Sequence, residues 1–110
     1  MLFQLQNAFK VKRPGFTAFV YNSKSELPAL NTVYVDCFKD HEKCYVKKSH
    51  RLYFVMEGTG TFIVGKKTYK VKSLDVVVIP PKTPYSYKGK MKLFEANFPA
   101  TGVEDEVVME

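Results

Sequence analysis

Apolar and polar residues alternate in short runs along most of this 110-residue chain. An alternation of period two puts successive side chains on opposite faces of an extended backbone, so these runs predict half-buried strands. Strands are expected over 16–21, 32–38, 44–48, 51–56, 61–64, 68–72, 75–79, 85–88 and 91–98, with almost no helix. The run 75–79 is nearly all apolar and reads as a strand buried on both faces. Glu57-Gly58-Thr59-Gly60 and Gly89-Lys90 carry turn chemistry, because glycine tolerates the positive φ that turns require. Gly65-Lys66-Lys67 reads as the tip of a hairpin, and Pro80-Pro81 stops a strand. Many short strands with tight turns predict an all-β, antiparallel barrel or jelly roll, which hides its strand edges. There is no internal repeat or linker, so residues 1–110 read as a single domain, with its core over about 30–99 and an acidic tail over 100–110.

Composition adds limits. Hydrophobic residues make up 45% of the chain and aromatics 15%, enough to build a core without crosslinks. The net charge is +6, yet only Arg13 and Arg51 are arginine. The lysines alternate with apolar residues, as in Lys70-Val71-Lys72, the pattern of a solvated sheet face. Nucleic-acid binding is therefore disfavoured, since base and phosphate recognition draws on the arginine fork. No apolar run approaches the ~20 residues of a membrane helix. With Cys37 and Cys44 read as free thiols, a cytoplasmic protein with no membrane partner is expected.

Two stretches carry a family resemblance. Arg51 through Phe62, containing Glu57-Gly58-Thr59-Gly60, resembles the strand and turn closing the first cupin motif. Leu74 through Tyr85, containing Ile79-Pro80-Pro81 and Thr83-Pro84, resembles the second. The chain thus resembles small single-domain cupins of the RmlC-like jelly-roll type. That resemblance implies a cupin-type antiparallel β-barrel (a double-stranded β-helix), a homodimer, and a pocket at one mouth. In most cupins the pocket holds a divalent metal on three His and one Glu. Registered on Gly58 and Pro80, those four positions are Cys44, Val46, Arg51 and Tyr85, and two family glycines become Leu74 and Lys82. A divalent ion needs several N, O or S donors. Val46 has none and Arg51 adds a positive charge, so no metal and no other cofactor is expected. His41 and His50 do not form a paired motif, and a lone histidine reads as a surface or packed residue.

The resemblance makes Cys44, Val46, Arg51 and Tyr85 converge, and strand parity adds Tyr53 and Tyr87. Such a pocket suits a small anionic or sugar-like ligand: arginine grips carboxylate or phosphate, and tyrosine stacks and offers a hydroxyl. Alternatively, Arg51 pairs internally with Glu95 and the tyrosines fill the barrel. Parity leaves open whether Glu95 and Asn97, or Phe94, Ala96 and Phe98, point inward. A metal-free isomerase or epimerase is a further reading, with His50, Tyr53, Tyr85 and Glu95 available, but no acid–base dyad stands out and His50 is expected to face away from Arg51's side. A non-catalytic dimeric structural or sensor module is the remaining one.

Overall fold

A computed structural model describes residues 1–109. Two one-turn 3₁₀ helices flank an antiparallel sheet of nine strands: β1 (Phe9–Lys12), β2 (Phe16–Val20), β3 (Asn31–Cys37), β4 (Asp40–Val46), β5 (His50–Val64), β6 (Lys67–Lys72), β7 (Val76–Ile79), β8 (Tyr85–Phe98) and β9 (Glu106–Val108). The all-β, antiparallel expectation holds. Two predicted strand pairs are each one long strand, and β1 and β9 lie outside the predicted set.

The two long strands, β5 and β8, form the spine and pair along their whole length. The other edge of β8 is shared, with β4 along its first half and β3 along its second. The other edge of β5 is shared by β7 and β6. Strands β1 and β2 continue the sheet beyond β3, and β9 adds to β4. Each long strand thus serves both halves of a curled sheet, which closes the interior.

The glycine-rich stretch after Val55 is a bulge, not a turn. Val55 faces Leu93, but Glu57 faces Lys92, so β5 carries one extra residue at Met56. An inserted residue flips the inward parity of everything after it. Before the bulge Arg51, Tyr53 and Val55 are buried; after it Phe62 is, and the strand continues without a break. Gly58 has φ +95, and a Cβ there would lie 2.1 Å from the Lys90 carbonyl oxygen, so the bulge requires glycine. Gly89 likewise sits inside β8 at φ +130.

Strand β7 departs from expectation. Val77 and Ile79 are buried, but Val76 and Val78 are 54% and 50% exposed. This strand pairs only with β5 and covers one side of the core, so its apolar run leaves an outward valine face. Leu74 and Lys82, where cupins carry glycine, are the non-glycine residues with positive φ among those described, at 78° and 63°. The backbone has kept the glycine conformation without the glycine.

Candidate functional site

On β8, Leu93, Glu95 and Asn97 are buried, whereas Phe98 is exposed, which settles the parity of the last long strand. Glu95 and Asn97 therefore point to the same interior as Arg51. Arg51 is 3% exposed, and its Nε and Nη1 are both engaged. Nε donates to Asn97 Oδ1 at 2.5 Å and lies 3.4 Å from Glu95 Oε2. Nη1 donates to Tyr85 Oη at 2.7 Å and to Glu106 Oε1 at 3.3 Å. Asn97 Nδ2 in turn donates to Glu95 Oε2 at 2.9 Å, so amide, carboxylate and guanidinium form one closed cluster. Of the two readings of Arg51, the geometry is that of the internal ion pair. A buried guanidinium needs such partners to offset its lost hydration.

Behind the cluster lies an aromatic layer. The hydroxyls of Tyr53 and Tyr85 are 2.7 Å apart. Tyr87 packs against Tyr53 and Phe62, and its buried hydroxyl has no hydrogen-bond partner. Burial pushes all three phenols well above the ordinary tyrosine pKa, with Arg51 only partly countering this at Tyr53 and Tyr85. They are neutral hydroxyls at any physiological pH.

His41 is a packed histidine, one of the two expectations for it, and it also faces the cavity of the site. A second bulge explains why. Strand β4 pairs His41 with Tyr87 and Cys44 with Tyr85, spending three residues where β8 spends two. Without the bulge, strand parity would send residues 41 and 44 to opposite faces; with it, both point inward. The His41 ring stacks on Phe16 with centroids 4.6 Å apart and lies 5.0 Å from the Tyr87 ring. Its Nδ1 is 2.7 Å from the Glu42 carbonyl oxygen. A carbonyl only accepts, so Nδ1 carries the hydrogen and Nε2 of the neutral ring has a free lone pair. His50 is exposed and stacks on Phe98 outside, away from Arg51's side as expected.

Glu106 is the other residue that the sequence hid. It lies opposite Val46 on β9, the short strand formed by the acidic tail. Its Oε1 meets both Arg51 and the Cys44 thiol, the latter at 3.3 Å. Burial works to raise the Glu106 pKa, but the Arg51 charge and the Cys44 hydrogen bond outweigh it and hold the carboxyl below its usual range. Burial, reinforced by the Glu106 charge, drives the Cys44 thiol far upward, so it is protonated and no nucleophile at neutral pH.

His41, Arg51, Glu95 and Glu106 line a cavity of about 940 Å³. Its wall is completed by the N-terminal segment with Phe9, Val11 and Phe16, the 21–26 loop, and residues 101–104. Of the sequence candidates, Arg51 and Glu95 face this cavity, while Cys44, Val46, Tyr53, Tyr85 and Tyr87 are buried around it without lining it. The usual cupin metal does not fit at the family positions. Val46 has no donor, and the guanidinium of Arg51 sits where a carboxylate ligand would, bonded to Tyr85.

No family model matches the chain. An uncharacterized protein of Methanocaldococcus jannaschii is 29% identical over 66 residues, which cover 56% of this chain and 53% of that protein, so the match spans about half of each. Solved structures align over almost the whole chain. Pac13, a nucleoside dehydratase, superposes with a TM-score of 0.91 at 22% identity, over 100% of this chain and 91% of its own. A Streptomyces Pac13 variant with uridine gives 0.91 at 21% identity, over 100% and 90%. KdgF from Halomonas sp. gives 0.79 at 13%, over 92% and 94%. Bacillus subtilis oxalate decarboxylase gives 0.82 at 15%, over 97% of this chain but 31% of that one. At these identities the likeness concerns the fold. Among the described residues no helix is long and apolar enough to cross a membrane. The chain has the cupin barrel fold.

Proposed function

We propose that the cavity binds a small, uncharged, hydroxyl-rich ligand of the nucleoside or sugar class without needing a metal. The observation that carries this is the pairing of Arg51. One guanidinium shares its space with two carboxylates, Glu95 and Glu106, so the cluster has an excess of one negative charge. An entering carboxylate or phosphate would meet that excess, and around the wall the carboxylates Glu26, Glu42, Glu95, Glu104 and Glu106 outnumber the cations Arg13, Lys24 and Arg51. Ligand hydroxyls, in contrast, can donate to Glu95 Oε1 and Glu106 Oε2, which take no part in the Arg51 contacts. The anionic ligand considered from sequence gives way to the sugar-like one. Phe9, Val11 and Phe16 supply an apolar wall for a ring.

His41 extends this reading to acid–base chemistry, in the manner of a metal-free isomerase or lyase. Its ring is held on three aromatic neighbours, its Nδ1 hydrogen is fixed on a backbone carbonyl, and Nε2 is left to take or return a proton at a bound ligand. Tyr85 touches the His41 ring and holds Arg51 through its hydroxyl, a positioning role rather than a ligand-facing one. The comparison agrees in kind: Pac13 structures with uridine include a histidine-to-glutamine variant and tyrosine-to-phenylalanine variants.

The test is a thermal-shift screen of neutral nucleosides and monosaccharides against simple carboxylates and sugar phosphates. Stabilisation by neutral compounds, abolished by blocking substitutions at the cavity wall such as Ala18→Trp, supports the reading. Stabilisation by the anions alone contradicts it.

A further inference from the structure

One side-chain cluster is not used by the ligand reading as a unit. His41, Cys44 and Glu106 place a ring nitrogen, a sulfur and a carboxylate oxygen all within 4.8 Å of one another. They come from two neighbouring strands, β4 and β9, and only Cys44 occupies a position where cupins carry a ligand. We propose that these three side chains form a site for one thiophilic divalent cation of the zinc type.

The donor types suit such an ion: imidazole, thiolate and carboxylate are all ordinary zinc ligands, with bonds of ~2.0–2.3 Å. Two ligand atoms on one tetrahedral ion lie roughly 3.3–3.8 Å apart at those bond lengths. Seating the ion thus needs the widest pair to close by up to about 1.5 Å. Glu106, whose side chain is 30% exposed on a three-residue strand, can supply that movement. The imidazole is already oriented as a metal ligand is, with Nδ1–H on a carbonyl and Nε2 free. Glu106 can keep Oε1 on Arg51 and offer Oε2. Charge also balances. Arg51, Glu95 and Glu106 leave one negative charge in excess; a divalent cation that displaces the Cys44 proton brings the cluster to neutrality. One Cys44 S–H bond breaks, one metal–sulfur bond forms, and the proton leaves to solvent, with no change of oxidation state. The fourth position faces the cavity and takes water.

Co²⁺ is the probe, because a thiolate on cobalt gives a near-ultraviolet charge-transfer band. Titration of wild type is expected to give that band, saturating at one equivalent and reversed by Zn²⁺. Because a thiol proton is released, affinity should rise about tenfold per pH unit through neutrality. Cys44→Ser should remove the band, and His41→Gln and Glu106→Gln should each weaken binding on the order of tenfold or more. Cys37→Ser should keep it, since Cys37 bonds the Gly89 carbonyl instead. No band in wild type, or a band that survives Cys44→Ser, overturns the site. Should Cys44→Ser not fold, Glu106→Gln decides: unchanged Co²⁺ affinity in that variant also overturns it. The site does not depend on the nucleoside reading, although both use His41 Nε2 and Glu106 Oε2. A cobalt band that forms normally while uridine stays bound would sustain the cation site and overturn the placement of the nucleoside.

Discussion

Arg51 Nη1 and Glu106 Oε1 meet at 3.3 Å across 55 residues of sequence, so the last short strand supplies the second carboxylate of a cation buried on β5. The acidic tail is thereby part of the interior. Removing Glu106 takes one partner from a nearly inaccessible guanidinium that keeps Glu95, Asn97 and Tyr85. Glu106→Ala is expected to cost ~1–3 kcal/mol, the scale of a lost charged hydrogen bond. Arg51→Ala strands Glu95 and is expected to cost more, ~3–5 kcal/mol. Urea unfolding of both variants checks the order; a Glu106→Ala protein as stable as wild type would place the tail outside the fold's energetics.

Acid should act through the same pair. The Glu106 carboxyl is held below its ordinary value in the folded protein, so its stabilising contribution is complete above the unfolded-state pKa, ~4.3, and is lost as pH falls through the lower folded value. Melting temperature should drop below about pH 4.5 in wild type. In Glu106→Gln this part of the drop should be absent, leaving a shallower acid limb. Identical acid limbs would contradict the linkage.

Leu74 holds φ 78° and is 73% exposed, so it bears backbone strain with little packing to offset it. Leu74→Gly should stabilise the protein by up to about 1 kcal/mol, whereas Leu74→Ala, which retains a Cβ, should not. Chemical denaturation of the two variants separates the relief of strain from the loss of the side chain.

The sequence carried the architecture further than the site. Alternation located the core strands, and parity, because a period of two survives in any single strand, added Tyr53 and Tyr87 to the Arg51 and Tyr85 that the cupin resemblance turned inward. It failed where a strand gains a residue. The bulge at Met56 turned one long strand into an apparent strand and turn, and the glycines that permit it mimicked turn chemistry. The bulge between His41 and Cys44 hid a histidine from its own site. Glu106 was invisible for a different reason: a three-residue strand in an acidic tail has too little pattern to read, and only its pairing with β4 turns it inward. The one legible hint was Glu106 preceding Val107-Val108, an acid followed by β-branched residues.

The outward face of β5, β7 and β8 gathers half-exposed Val76 and Val78 beside Phe98 and the less exposed Leu52, Phe54 and Phe94. We propose that a second copy covers this face, as exposed apolar sheet commonly requires. Light scattering should give about twice 12.6 kDa for wild type, and the double variant Val76→Lys and Val78→Lys should fall to the monomer mass. A monomeric wild type at high concentration would contradict the pairing.

The central claim is that the cavity takes an uncharged, hydroxyl-rich ligand beside His41, and the ring of His41 can report this directly. With the histidine rings labelled for NMR, adding neutral nucleosides and monosaccharides, uridine first, should shift the His41 signals saturably and leave those of exposed His50 in place. Acetate and a sugar phosphate should move neither. If the His41 signals ignore every neutral compound and respond only to the anions, the ligand is an anion and the reading of the cavity as net negative around a paired Arg51 is wrong.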